Sequence, residues 1–159
     1  MLRIFKSIVL LTLLVLSALG CNQNSDLSGT FEEEDISEDL EELSFKPQLP
    51  TSLPFEPESV QSEAIIMSEE RLSINMVKGK DETEGLNISI MHASLGSPER
   101  GSEEVNLDNE ITGYYKKSQN SSSLTWEEEN TTYMIQHTTD GEDKLLGADA
   151  LTSIAKGFE

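Results

Sequence analysis

The chain reads as an α+β domain: a small antiparallel sheet of about five to six strands with a C-terminal helix packed on it, preceded by a disordered acidic linker. Three features carry that reading. Short segments between residues 64 and 137 alternate apolar and polar side chains, the period of a half-buried strand. Leu151, Ile154, Ala155 and Phe158 fall at i, i+3, i+4 and i+7, the period of a helix face. Ahead of both, residues 22–45 hold nine acids and no basic residue, and Pro47, Pro50, Pro54 and Pro57 divide that run from the strands.

The chain begins with a targeting pattern. Arg3 and Lys6 form a short basic region, and Ile8 to Leu16 is an apolar run broken only by Thr12. Ala18 and Gly20 then place small residues before Cys21. This is the layout of a secretory signal, and the run is shorter than the roughly twenty apolar residues that span a bilayer. The stretch Leu16-Ser17-Ala18-Leu19-Gly20-Cys21 resembles the lipobox of bacterial lipoproteins, with Ala18 and Leu19 in swapped sizes relative to the usual order. The resemblance implies a diacylglyceryl group on the Cys21 sulfur and a peptidase cut just before it. Residues 1–20 are then a signal peptide, and Cys21 is the lipidation site and membrane anchor. Two acyl chains hold stably where one is marginal, at about 0.8 kcal/mol per buried methylene. An ordinary cleaved signal with an incidental cysteine, or an uncleaved anchor, would leave Cys21 unmodified. Cys21 is the chain's only cysteine, so lipidation would leave the domain without thiol or disulfide. The expected location is the extracytoplasmic face of the cell membrane.

Residues 21–46 are expected to form the lipidated cysteine and an acidic tether, with residues 47–159 as the folded domain. Eight of the nine acids sit in Glu32-Glu33-Glu34-Asp35 and Glu38-Asp39-Leu40-Glu41-Glu42. Like charges repel, and such a run lacks the apolar surface to order itself. As a flexible coil it would span about 25–30 Å, lengthened by repulsion. Ile36, Leu40 and Leu43 do lie at helical spacing, which allows a transient helix. The whole chain carries a formal charge of -19. Loss of Arg3 and Lys6 makes it two units more negative. That balance argues against nucleic acid, which is bound by clustered Lys and Arg. It favours a basic protein or cell-wall partner, and it keeps the protein soluble whatever it binds.

The strands are expected at Ala64-Ile65-Ile66-Met67, at Leu72 to Val77 and at Leu86 to Ile90, with Lys78 to Gly85 as a charged hairpin connection. Residues 94–109 read as a polar surface loop. Ile111 to Lys117, Ser123 to Glu127 and Thr132 to His137 follow as further strands. Leu124 and Trp126 share one face, as do Tyr133 and Ile135, so these four can meet across an antiparallel pair and form core. In the final helix Asp149 lies early and Lys156 late, each suiting the macrodipole.

Gly113-Tyr114-Tyr115, Leu124-Thr125-Trp126-Glu127-Glu128, Tyr133 and Leu151-Thr152-Ser153-Ile154-Ala155 together resemble the C-terminal signature of the bacterial domain-of-unknown-function 4367 family. Leu53-Pro54-Phe55 is similar to that family's N-terminal edge. Where the family usually has Gly between Trp and Tyr, this chain has Asn130, a residue that tolerates a left-handed backbone. The resemblance implies a fold and an exported or membrane-tethered setting, in some relatives linked to sigma-factor regulation. It brings no catalytic residues.

No stretch carries a catalytic motif: there is no nucleophile elbow, phosphate-binding Gly loop or zinc-type Cys/His cluster. His92 and His137 each follow an isoleucine by two residues and read as surface histidines at strand ends. Asp140-Gly141-Glu142-Asp143 lacks the ligand alternation of a calcium loop and reads as a polar turn. Neither a cofactor nor a metal is expected. The expected role is a non-enzymatic binding or sensing module at the cell envelope. The alternative is a carrier-like domain binding an acyl chain or a lipoprotein in an apolar cleft beneath the helix.

Overall fold

A computed structural model describes residues 27–80, 83–108 and 110–159. Seven antiparallel strands form one sheet: β1 (Ser59–Ile65), β2 (Arg71–Lys78), β3 (Glu84–Met91), β4 (Glu103–Asn106), β5 (Thr112–Lys117), β6 (Ser121–Glu128) and β7 (Thr131–Thr138). Their order is β1-β2-β3-β7-β6-β5-β4, so two meanders meet where β3 pairs with β7. Two helices accompany the sheet, α1 (Ser37–Glu42), preceded by a 3-10 turn over Glu33–Ile36, and α2 (Ala148–Ala155).

Register turns the period-2 patterns into rows across the sheet. One row runs Ile74, Ile88, Ile135, Leu124, Tyr115. A second runs Leu72, Ile90, Tyr133, Trp126, Gly113. Both rows lie on the inner face and are buried. A Cβ on Gly113 would stand 2.9 Å from Leu124 Cδ1, so glycine is what lets Leu124 and Leu107 close over that position. The β6–β7 connection is a two-residue turn through Glu129 and Asn130, both left-handed, with φ of 48° and 63°. Asn130 thus takes the conformation expected of it.

The sheet is larger than expected by sequence pattern. β4 is short and acidic, with no apolar alternation to betray it inside the stretch read as a loop. β1 begins five residues earlier than the expected start at Ala64 and stops at Ile65. Ile66 and Met67 instead lie in the β1–β2 connection, where Met67 is 75% exposed. The C-terminal helix packs on the inner face through Leu151, Ile154 and Ala155, as its period implies.

The acidic tether requires a correction. Residues 22–26 lie outside the described residues, but from Leu27 onward the segment is part of the fold. Gly29 bridges Leu53 through two backbone bonds of 3.1 and 3.0 Å, at an approach where any Cβ would strike the Phe55 carbonyl. Ile36 is 2% exposed within the hydrophobic core, and Leu40 and Leu43 pack against it. The remaining acids of α1 and its leading turn point to solvent, apart from Asp39. The magnitudes explain the outcome. Like-charge neighbours on a helix cost a few tenths of a kcal/mol each, whereas burying one large aliphatic side chain contributes about 1.5–3 kcal/mol.

Candidate binding groove

α1 does more than cover apolar surface. The Asp39 carboxylate accepts the Ala64 N–H at 3.1 Å on the side of β1 away from β2, and it accepts the Ser62 hydroxyl as well. The exposed edge of β1 is thereby partly capped, as sheet edges must be. After α1 the chain turns and runs extended. Ser44 N–H donates to Glu70 Oε2 at 2.8 Å, and the Phe45 ring stacks on His92 with centroids 4.8 Å apart. Leu49 then exchanges backbone bonds of 3.0 and 3.1 Å with Glu159.

Between α1 and this extended strand lies a groove of about 540 Å³, within the ~300–1,000 Å³ of small-ligand and side-chain pockets. Leu40, Leu43, Phe45, Pro47 and Leu49 supply its apolar lining, with Ser37 and Ser44 among them. Its rim is acidic, with Glu33, Glu41 and Glu159, against one base, Lys46. Sequence reading found the Ile36/Leu40/Leu43 stripe but not the groove, because Phe45 and Leu49 lie beyond the helix and only the turn at Ser44 brings them round.

The other expected site residues are scattered. Cys21 lies outside the described residues. Trp126 is core, 2% exposed, stacked on Tyr133 at 5.2 Å with Phe158 against its edge. Asp140 is held by Lys144 at 2.8 Å in a surface turn, and that bond holds its carboxyl pKa below the usual carboxylate value. His92 is exposed just beyond β3, whereas His137 pairs with Leu86 near its start. Six residues of strand separate the two positions, about 20 Å. Among the described residues no group of three or more His, Asp or Glu could hold a metal ion.

His137 corrects the expectation of a surface histidine, for it is fully buried on the inner face. Leu146 N–H donates to its Nδ1 at 3.3 Å, so the ring is neutral with its proton on Nε2, which faces Glu84 Oε1 at 3.3 Å. Burial pushes its pKa below the ordinary 6.5, and the Glu84 carboxylate only partly opposes this. Ser122, its cross-strand partner, is buried with no partner for its hydroxyl among the described residues. Both ring nitrogens are already engaged, so His137 in this arrangement has none left to accept a proton from Ser122. No protein-family profile matches the chain, and no curated protein or solved structure does.

Proposed function

We propose that the protein is a lipoprotein anchored through Cys21 at the extracytoplasmic face of the membrane. Its domain acts as a non-enzymatic docking module that takes a basic amphipathic segment of a partner protein. The observation that carries the reading is the groove beside α1, which joins a run of apolar side chains to acids at its lip. An amphipathic segment buries its apolar stripe in such a groove, and Lys or Arg flanking that stripe meets the acids. The chain's charge of -19 steers a cation toward it and repels anionic competitors. The inner sheet face is filled by Leu72, Ile74, Ile88, Ile90 and Ile135 against the covering segments. The cleft of about 410 Å³ beside α2 is lined by Gln48, Asp108, Glu128 and Lys156 as well as Trp126 and Phe158, which suits an acyl chain poorly and favours docking. The resemblance to the domain-of-unknown-function 4367 family, carried by the residues named above, would suit an envelope setting.

The test uses the full chain in nanodiscs of neutral lipid and three photo-cross-linking peptides. One has a Leu stripe and Lys flanks, one replaces Leu by Ser, and one replaces Lys by Glu. The Lys/Leu peptide should bind in the micromolar range, weaken with salt, and leave adducts between residues 37 and 49. Equal binding by the Lys/Ser peptide would reduce the interaction to charge alone and overturn the docking reading. Equal binding by the Glu/Leu peptide would remove the role of the acidic lip, and that result, or adducts spread over the surface, would also overturn the reading.

A further inference from the structure

The opposite face of the sheet carries a second cavity, separate from the groove. The outward positions are polar: Ser73 and Asn75 on β2, Asn87 and Ser89 on β3, Ser123 and Thr125 on β6. The β3–β4 connection must travel from the centre of the sheet to its far edge, and it does so across this face. Three bonds pin its course: Thr132 Oγ1 to the Ala93 carbonyl at 2.7 Å, Ser94 Oγ to Asn130 Oδ1 at 2.7 Å, and Leu95 N–H to Glu127 Oε2 at 2.8 Å. An ion pair between Glu99 and Lys116 ties its far end to β5.

Under this strap is a cavity of about 280 Å³. Its floor is Tyr114, cross-strand partner of Thr125, beside Lys116, partner of Ser123. The hydroxyl-bearing residues Tyr114, Ser123, Thr125 and Ser97 line it. Hydroxyls that line a half-covered cavity suit a ligand rich in both donors and acceptors. A purely apolar guest would strand them. An anionic guest would face the chain's net charge of -19, with the lone lining cation already paired to Glu99. The Tyr114 ring offers a π face, which the slightly positive C–H edge of a pyranose ring can meet. The volume falls just under the ~300 Å³ where drug-sized pockets begin, room for one such ring.

We infer that this cavity is a saccharide subsite, taking one neutral or amino-substituted pyranose ring between Tyr114 and the β3–β4 strap. Saturation-transfer NMR on the full chain in neutral-lipid nanodiscs, with glucosamine, glucose, glucuronate and myo-inositol as probes, tests it. Transfer should be strongest for glucosamine, present for glucose and weakest for glucuronate, with millimolar affinities. Tyr114→Ala should weaken glucosamine at least fivefold. Thr125→Val, which keeps side-chain shape, should weaken it about threefold without altering the melting temperature and covers the case in which Tyr114→Ala misfolds. Absence of transfer from all sugars would overturn the proposal, as would glucuronate matching glucosamine. Undiminished binding in the folded Thr125→Val protein would overturn it too, and so would myo-inositol matching glucose, since any polyol would then serve.

Discussion

Two buried side chains of the inner face show how far a single residue's environment sets its part. Trp126 completes a row with Tyr133 and Gly113 and touches Phe158 at its edge, with ring centroids 5.1 Å apart. Trp126→Ala should therefore lower stability by about 3–5 kcal/mol, read as a shift of the denaturant midpoint. An unchanged midpoint would place the ring outside the core. His137 occupies the same face but brings a titratable group with it. Its folded pKa is depressed below 6.5, so between the two values the unfolded chain binds more protons than the folded one. Stability is then full above about pH 6.5 and falls as pH drops below it. Protonation would also turn Nδ1 into a donor facing the Leu146 N–H. His137→Gln should flatten that acid limb of a pH–stability profile, and a profile with the same slope in both proteins would contradict the assignment.

At the scale of elements, the strongly periodic segments were legible and the weakly periodic ones were not. The cores of β2, β3, β6 and β7 and the face of α2 follow from alternation and helical spacing, because their burial repeats along the element. β4 has no such repeat, and the apolar Ile66-Met67 pair misled because it marks a connection rather than a strand. The acidic helix shows the limit differently. Composition argued for disorder, yet Ile36, Leu40 and Leu43 at one spacing were enough once a sheet stood ready to receive them. His137 read as a strand end because nothing in the sequence shows that Glu84 and Leu146 come to meet it. If α1 is held by burial, Ile36→Ala should cost about 2–5 kcal/mol despite lying in an acidic run. A loss within about 0.5 kcal/mol, the range of ordinary surface substitutions, would show the contact carries little.

For the whole molecule, the ordered acidic segment shortens the stretch between Cys21 and the domain. Cys21 lies six residues before Leu27, a length that reaches at most about 20 Å. A lipid on Cys21 would thus hold the domain close to the bilayer rather than at the end of a long spacer. Cys21→Ala should abolish fatty-acid labelling and move the protein out of the membrane fraction. Wild-type protein that sits in membranes without label would contradict lipidation. The groove exists only if the acidic run is part of the domain, since α1 forms one of its walls. Hydrogen exchange at the amides between Ile36 and Leu43, in full-length protein in nanodiscs, addresses that directly. The predicted result is protection in the free protein, from packing against β1 and the core, and further slowing when the Lys/Leu peptide is added. Exchange at the free-chain rate, unchanged by peptide, would contradict both the fold of this segment and the function proposed for it.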